Sequence, residues 1–372
     1  MKRREFAKKA VLGALATGGV AACGPGGGDA GAPAVQTGRR VMWRLASSFP
    51  RGLDTIFGAA DTLSERVSAL TDGRFQIRAY PAGELVPGLQ VLDAVQQGTV
   101  QAGHSATYYF IGKNPALAFD CAVPFGLTVR GHNAWLFHGG GLERLREVFA
   151  DFNIVNFPGG NTGTQMGGWF RRPIQSLADL RGLKMRIPGL GGQVMDRLGV
   201  SVQVLSGGDI YPALERGAID ATEWVGPYDD EKLGFHKVVK NYHYPGWWEP
   251  GPALTFYVNR RAWDELPKLY QEAFQTASRE ATLNMMSKYD ALNPPALARL
   301  VEQGVNLVPF PQDMMQAALQ ASTDLVEQQA AANPGYRRIY DEWKKWRGDT
   351  YRWFSVADQA YEAFALPRLA TR

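Results

Sequence analysis

The sequence predicts an α/β protein with two lobes, a cleft between them and long C-terminal helices. Its 372 residues exceed the length, about 250 to 300 residues, at which a single hydrophobic core usually stops growing. Runs with strand periodicity alternate with runs of helical spacing from residue 41 to residue 258, and the remainder is helical in pattern. This alternation favours sheets rich in parallel strands, which bind ligands beyond the carboxyl ends of their strands.

The first lobe is predicted to comprise residues 40–160, with a returning segment near residues 251–262. Apolar and polar side chains alternate over residues 41–46 and 75–79, whereas residues 55–70 have helical spacing that ends at Asp72-Gly73. The remaining predicted elements are a helix over 91–97, a helix over 142–152 and a strand over 154–157. Residues 101–104 lead into Ala106-Thr107-Tyr108-Tyr109-Phe110, and residues 253–258 return to the first lobe.

The second lobe is predicted to comprise residues 161–250, and residues 263–372 are predicted to pack as helices on both lobes. Strands are expected over 165–171, 183–187, 200–205 and 221–225, and residues 242–248 approach the lobe boundary again. A long helix over 263–290 is expected to be interrupted by Pro294-Pro295 and followed by helices over 317–329 and 342–365.

Residues 1–22 are typical of an export signal. Arg3-Arg4-Glu5-Phe6-Ala7-Lys8 is similar to a twin-arginine motif, and Val20-Ala21-Ala22-Cys23 is similar to a lipobox. Lipid attachment at Cys23 would tether the protein to the membrane surface in the periplasm through a flexible leash of residues 23–39. The alternative is an ordinary signal peptide that is cleaved nearby.

The net charge excludes a nucleic-acid-binding surface. The first 22 residues contain five Lys or Arg and one Glu, a difference of +4, which equals the formal net charge of the whole chain. The remainder is therefore close to neutral. Cys121, the second of two cysteines, lies among apolar residues and is predicted to be a buried thiol without a disulfide partner.

The segment from Leu180 to Gly189 contains the candidate ligand-binding arginine. Leu183, Met185 and Ile187 alternate with basic residues, so Arg186 is expected at the end of a short strand that Pro188-Gly189 stops. A guanidinium group fits a carboxylate through two parallel hydrogen bonds. The alternative is a surface arginine that pairs with a neighbouring acid.

Several motifs along the chain resemble those of one protein family. They are Leu-Arg-Gly-Leu-Lys-Met-Arg-Ile-Pro at 180–188, Ala-Tyr-Pro-Ala-Gly-Glu-Leu at 79–85 and Asp-Ile-Tyr-Pro-Ala-Leu-Glu-Arg-Gly-Ala-Ile-Asp at 209–220. Over roughly residues 40–310 the chain resembles the solute-binding proteins of tripartite ATP-independent periplasmic (TRAP) transporters. The segments at 163–170 and 223–227 resemble the branch that binds 2-oxo acids or lactate with a cation.

This resemblance implies a cation site. In that branch the ligands are a Gln side chain, a Glu carboxylate, the adjacent Trp carbonyl and a second Glu, which correspond to Gln165, Glu223, Trp224 and Glu249. Oxygen ligands suit a hard ion such as Ca²⁺ or Na⁺ and disfavour Zn²⁺. Two glutamates and a ligand carboxylate against Arg186 leave a charge of −2, which favours Ca²⁺. The alternative is that both glutamates are solvated surface residues.

The resemblance also implies how the organic ligand is bound. Arg186 would bind its carboxylate, and the cation would bind a carboxylate oxygen together with the 2-oxo or 2-hydroxy oxygen. Further contacts are expected from Gln165, Asn161, Tyr108, Tyr109, Phe49 and Trp224. For the aromatic residues, packing in the core is the alternative role.

The predicted function is non-enzymatic capture of a small 2-oxo or 2-hydroxy monocarboxylate, such as pyruvate or lactate, for delivery to the membrane subunits of a TRAP transporter. No HExxH sequence, serine elbow or Walker sequence is present. The alternatives are a metal-dependent enzyme acting on 2-oxo acids and a receptor component that presents the ligand. A homodimer through residues 263–290 or the C-terminal helices is also predicted.

Overall fold

A computed structural model of the chain describes residues 38–370, which form two β-sheets surrounded by helices. The predicted α/β class is thereby confirmed. The predicted export signal, Cys23 and nearly all of the leash lie outside the described residues. The strands are β1 (Val41–Ser47), β2 (Phe75–Tyr80), β3 (Ala102–Ser105), β4 (Ile154–Asn161), β5 (Gly168–Phe170), β6 (Lys184–Arg186), β7 (Ser201–Gln203), β8 (Ala221–Thr222), β9 (Asn241–Tyr244), β10 (Ala253–Asn259) and β11 (Asn306–Pro309).

The first sheet has five strands in the order β2-β1-β3-β10-β4, and the part of the molecule built on it is called lobe I below. β1 lies parallel to β2 and β3, whereas β10 returns antiparallel to both β3 and β4. All eight residues of β4 and all seven of β10 are buried, since helices cover both faces of the sheet.

The second sheet has six strands in the order β11-β9-β5-β8-β6-β7, and the part built on it is called lobe II. Its strands are shorter than predicted, because β6 and β8 pair over only two residues each before the chain turns away. β11 was not predicted; it follows the long helix and pairs in parallel with β9. The predicted limits of the two lobes stay a prediction.

Residues 38–370 contain thirteen α-helices, the last three of which follow the final strand. They are α1 (Gly58–Leu70), α2 (Val91–Gln96), α3 (Ala118–Cys121), α4 (Val129–His138), α5 (Gly141–Ala150), α6 (Gly189–Arg197), α7 (Gly207–Glu215), α8 (Pro227–Leu233), α9 (Arg260–Asp264), α10 (Lys268–Glu302), α11 (Gln312–Ala332), α12 (Pro334–Val356) and α13 (Asp358–Leu369). No helix in this part of the chain is both long and apolar enough to cross a membrane.

The predicted interruption of the long helix at Pro294-Pro295 is wrong, because α10 continues through both prolines. Each proline removes one N–H, so the carbonyl groups four residues earlier, at Asp290 and Ala291, lose their helical partners. Both of these residues are exposed, and water can therefore hydrate the released carbonyl groups. Buried side chains such as Tyr289 and Leu300 anchor the helix on either side of the prolines.

The single helix predicted over residues 342–365 is instead two helices, α12 and α13, which are separated at Ala357. α12 packs on lobe I, since Tyr336, Tyr340 and Trp343 surround Phe119 with ring centroids 4.9 to 6.4 Å away. In α13 only Ala365 is buried. The chain therefore ends in a helix that has almost no contact with its own core.

Candidate functional site

Two strands from each sheet have their carboxyl ends next to the same region of the molecule. β1 and β3 of lobe I lead into the segments with Phe49 and Tyr108, whereas β6 ends at Arg186 and β8 leads into Glu223. The two segments that cross between the sheets, residues 162–167 and 245–252, run through the same region. The site therefore lies where α/β sheets usually bind ligands, beyond the carboxyl ends of their strands.

Arg186 is 1 % exposed and pairs with Glu223. Its Nη1 donates to the Glu223 carboxylate and, at 3.2 Å, to the Glu223 carbonyl, while its Nε donates to the Leu205 carbonyl at 3.1 Å. Burial lowers the pKa of Arg186, but the Glu223 charge together with Tyr109 and Tyr108 outweighs burial, and the net result is a raised pKa. The guanidinium group is therefore charged, and neighbouring carbonyl groups hold its orientation.

Glu223 is fully buried, and only one of its carboxylate oxygens is paired with Arg186. Its Oε2 has no hydrogen-bond partner. Burial raises the pKa of Glu223 to about 7, and the attraction of Arg186 only partly offsets this. A carboxylate oxygen that is buried without a donor favours a cation as its partner.

The two crossing segments hold Gln165 and Glu249 next to each other. The main-chain amide of Gln165 donates to the main-chain carbonyl of Glu249 at 3.2 Å. The Gly246 amide donates to the main-chain carbonyl of Gln165 at 2.9 Å. The Gln165 side chain donates through Nε2 to Thr162 at 3.2 Å, which leaves its Oε1 without a donor. Main-chain bonds between the two segments thus fix both predicted cation ligands.

Glu249 is 3 % exposed, and the Tyr108 hydroxyl donates to its carboxylate over a long distance of 3.4 Å. Burial, followed by the nearby negative charge of Glu223, raises the pKa of Glu249 well above its ordinary value. Two carboxylates that share a buried region repel each other unless a positive charge lies between them.

The oxygen atoms of this region fit the predicted cation. Gln165 Oε1 and Glu223 Oε2 are buried and lack donors, and Glu249 has a single weak one. Residues 38–370 contain no group of three or more His, Cys, Asp or Glu side chains placed so that they could hold a metal ion. A site here would therefore depend on amide and carbonyl oxygens beside its two carboxylates, which is the donor set of a hard ion.

A small cavity of about 10 Å³ lies between the lobes in front of these charged residues. It is lined by Phe49, Ile56, Ala106, Tyr108, Tyr109, Cys121, Thr162, Gln165, Trp224, Val225, Pro252 and Leu254. This volume is about the minimum that holds one water molecule. Arg186 lies behind this lining, 5.3 Å from the Trp224 ring and 3.4 Å from the Tyr109 hydroxyl. The guanidinium group is engaged with Glu223 and is not presented to the cavity.

Most of the other predicted contact residues also border this cavity. The Phe49 and Trp224 rings meet edge to face at 6.4 Å, and the Tyr108 and Tyr109 rings do so at 4.9 Å. The indole Nε1 of Trp224 is buried without an acceptor, so it is available to donate to a ligand. Both aromatic pairs line the cavity together with Gln165.

Asn161 is buried but is already engaged with the main chain. Its Nδ2 donates to the Gly251 carbonyl at 3.0 Å, and its Oδ1 accepts from the Gly163 amide at 2.9 Å. These bonds join the two crossing segments at the place where they leave lobe I. Asn161 is absent from the cavity lining, and its role as a ligand donor stays a prediction.

Sequence reasoning missed the apolar part of the lining. Ile56, Ala106 and Leu254 are at most 3 % exposed and carry no chemical signal. Ala106 directly follows β3, so the rule that ligands bind at strand ends would have found it. Cys121 is free and buried as predicted, and it also lines the cavity.

Sequence reasoning also missed Asp230, which supports the segment that contains Glu223. The Asp230 carboxylate accepts hydrogen bonds from Trp169 Nε1 at 2.9 Å, the Tyr242 hydroxyl at 2.6 Å and the Val225 amide at 3.2 Å. Burial raises its pKa to about 7, although these donors lower it. The bond to Val225 fixes the main chain two residues after Glu223.

The family model described as DctP, bacterial extracellular solute-binding protein, family 7, matches residues 46–333. The chain is similar to a monocarboxylate 2-oxoacid-binding periplasmic protein of Nostoc sp., with 54 % identity over 98 % of this chain and 99 % of the relative.

Two solved structures are similar in both sequence and fold. A TRAP transporter solute-binding protein of Bordetella bronchiseptica, a mixed-occupancy dimer with copurified calcium and picolinate, has 50 % identity and a TM-score of 0.89 over 90 % of this chain and 99 % of its own. A TRAP periplasmic solute-binding protein of Pseudoalteromonas atlantica with bound sodium and pyruvate has 39 % identity and a TM-score of 0.85 over 88 % and 99 % of the two chains.

Proposed function

Because the chain belongs to the bacterial extracellular solute-binding proteins of family 7, we propose that it captures a pyruvate-like 2-oxo or 2-hydroxy monocarboxylate together with a cation. Members of this family bind solutes and are not enzymes. The ligand is delivered to the membrane subunits of a TRAP transporter. The alternative of a metal-dependent enzyme acting on 2-oxo acids is therefore wrong.

The observation that carries this proposal is the buried Arg186–Glu223 pair beside unpartnered oxygen atoms. A ligand carboxylate that binds the guanidinium group competes with Glu223 for it. The released Glu223 carboxylate then joins Gln165 Oε1 and Glu249 around the cation. The cation supplies the positive charge that lets the ligand carboxylate and both glutamates remain ionised in one buried region.

The ligands of the relatives share one chemical feature. Pyruvate has an oxo oxygen next to its carboxylate, and picolinate has a ring nitrogen at the same position. Both molecules can therefore chelate one cation through two neighbouring atoms. Calcium and sodium are the ions in these two structures, and the charge of the site favours Ca²⁺ for this chain.

Calorimetric titration of pyruvate and lactate tests the proposal. Binding is expected in buffer with Ca²⁺ and should be lost after chelation in Na⁺-free buffer. Addition of Na⁺ alone then distinguishes the two ions. Equal affinity under all three conditions would remove the cation from the proposed function, and no binding of any 2-oxo or 2-hydroxy acid would remove the ligand class.

The tether to the membrane at Cys23 and export by the twin-arginine route are part of the proposal. Both depend on residues 1–23, whose sequence resembles a twin-arginine signal followed by a lipobox. The wild-type protein should partition with the membrane fraction and incorporate labelled fatty acid. Cys23→Ala should appear in the soluble periplasmic fraction, and label retained by this variant would contradict lipid attachment at Cys23.

The exposed side of α13 supports a homodimer. Tyr361, Phe364, Leu366 and Leu369 are 62 to 70 % exposed on this one helix, and the Bordetella relative is a dimer. Light scattering should show a dimer that Phe364→Glu dissociates, whereas Met42→Glu, at another exposed apolar residue on β1, should not. Dissociation by Leu283→Glu instead would place the interface on α10.

A further inference from the structure

The turn at Phe125 lies against the segment that holds Glu249. The Phe125 amide donates to the Trp247 carbonyl at 2.8 Å, and the two aromatic rings stack with centroids 5.2 Å apart and planes 15° apart. Phe125 has a φ of +52°, a left-handed conformation that is unfavourable for a bulky side chain. Such a conformation persists only where surrounding contacts hold it.

Helix α12 supplies contacts on the other side of this turn. The Tyr351 hydroxyl donates to the Gly126 carbonyl, and Arg347 Nη1 donates to the Phe125 carbonyl at 3.4 Å. A Cβ atom at Gly126 would lie 3.1 Å from the Trp343 ring, so the helix packs directly on the turn. The turn is therefore held between the C-terminal helix and Trp247.

The segment around Glu249 is fixed at both ends. The Glu249 amide donates to the Gly246 carbonyl at 3.0 Å, and Gly246 in turn bonds to Gln165. At the other end, a Cβ atom at Gly251 would lie 2.3 Å from the Val129 nitrogen, which leaves no room for a side chain. Between these two points the Glu249 carboxylate itself has little support, because its bond from Tyr108 is long.

We infer that Phe125 and Tyr351 are positioning residues for the cation ligand Glu249. Through them helix α12 tunes the affinity of the cation site. This inference rests on the proposed function. Loss of the Tyr351 hydroxyl removes its hydrogen bond to the turn and increases the mobility of the turn. The contact between the turn and Trp247 then weakens, so Glu249 spends less time in the orientation that binds the ion.

The test compares two Tyr→Phe variants on one helix. Tyr351→Phe removes the bond to the turn, whereas Tyr340→Phe removes a bond to Glu327 elsewhere on α12. Calorimetry with Ca²⁺ alone should show about five-fold weaker binding for Tyr351→Phe, as for the loss of one hydrogen bond, and no change for Tyr340→Phe. Phe125→Leu, which also loses the ring stack, should weaken Ca²⁺ binding by about ten-fold.

If Tyr351→Phe acts only through Glu249, pyruvate affinity at saturating Ca²⁺ should be the same for wild type and variant, because Arg186 is untouched. A purely structural role of Tyr351 predicts instead a parallel loss of Ca²⁺ and pyruvate affinity, and that result would overturn the inference. Equal Ca²⁺ affinity of the Tyr351→Phe and Tyr340→Phe variants would also overturn it.

Hydrogen exchange separates this inference from the proposed function. Without any cation, amides of residues 246–251 should exchange faster in Tyr351→Phe than in Tyr340→Phe. If wild type binds pyruvate but no cation, the proposed cation role is wrong, and faster exchange would still support the connection from α12 to this segment. Unchanged exchange would overturn the connection itself.

Discussion

The two lobes contribute opposite kinds of surface to the site. Lobe II supplies Arg186 and Glu223, which are both almost completely buried and charged or titratable. Lobe I supplies Phe49, Ile56 and Leu254, which are neutral and pack closely. Gln165 and Glu249 lie on the two segments that join the lobes.

This difference indicates that the lobes have different tasks. Lobe II holds ionic groups that are costly to bury, so the Leu205 and Glu223 carbonyls accept hydrogen bonds from Arg186. Asp230 fixes the adjacent main chain through its bond from the Val225 amide. Lobe I excludes water from those groups when it lies against them, which strengthens their attraction for an ion or a carboxylate. Substitutions on the two sides should therefore have different consequences.

The largest effect is expected from Arg186→Ala in lobe II. It removes the proposed partner of the ligand carboxylate, so pyruvate affinity should fall by at least a hundred-fold, or about 3 kcal/mol. Arg181→Ala, at an exposed arginine of the same segment, is the matched control and should bind normally. Calorimetry measures both, and circular dichroism checks the fold. Retained affinity in Arg186→Ala would mean that lobe II does not supply the anion site.

The two glutamates should differ in their effect on stability. Glu223→Gln leaves the buried Arg186 charge without its ionic partner and should lower the free energy of unfolding by about 2 to 3 kcal/mol. Glu249→Gln removes a buried carboxylate that has only one weak donor and should leave stability unchanged or raise it. Urea unfolding without added cation measures this difference. A larger loss for Glu249→Gln would reverse the assignment of the ion pair.

The pH dependence of stability should show opposite contributions from buried histidines and from a buried aspartic acid. Burial lowers the pKa of His104 and His132 in lobe I to about 4, so their contribution is complete above pH 6.5 and is lost as the pH falls towards 4. Each should contribute a loss of about 1 kcal/mol between pH 7 and 5.5. Burial raises the pKa of Asp230 in lobe II to about 7, so its contribution is complete below about pH 4 and is lost progressively as the pH rises from 4 to 7.

Unfolding measured at several pH values tests these signs. His104→Gln should flatten the loss between pH 7 and 5.5, whereas His138→Gln, at an exposed histidine of α4, should not. Asp230→Asn should remove the opposite contribution across this range, with its largest effect on the slope at the lower end. An unchanged slope in His104→Gln would show that this histidine is not held neutral.

The smallest effect is expected from Tyr109→Phe in lobe I. Its hydroxyl lies 3.4 Å from Arg186 Nη2 and is the polar group of this lobe nearest the guanidinium group. Its loss should weaken pyruvate binding by about five-fold and leave the affinity for Ca²⁺ alone unchanged. A hundred-fold loss would mean that lobe I does more than exclude water.

The charged part of the site was predictable from sequence because its residues lie in specific motifs. Arg186 ends a short alternating strand, and Glu223 and Glu249 each adjoin a tryptophan in a segment that resembles the family pattern. The structure brings these residues together with Gln165 in one buried region. The α/β class and most strands were also predicted, because apolar periodicity reports directly on burial.

The neutral part of the site was not predictable in the same way. Ile56 and Leu254 have the composition of any core residue, and only the packing of the two lobes places them at the cavity. The continuity of α10 through two prolines was missed because exposure of the released carbonyl groups depends on which side of the helix faces the core. β11 was missed because a four-residue edge strand leaves little pattern.

The long helix makes a third covalent link between the lobes. The chain crosses at residues 162–167 and 245–252, and α10 then passes from its contacts with α1 and β4 in lobe I to α8 in lobe II, where β11 joins the second sheet. A single proteolytic cut in any one of these links would leave the other two intact. A protein cleaved at one link should therefore stay associated. Three connections also restrain the rotation of one lobe against the other more than two would.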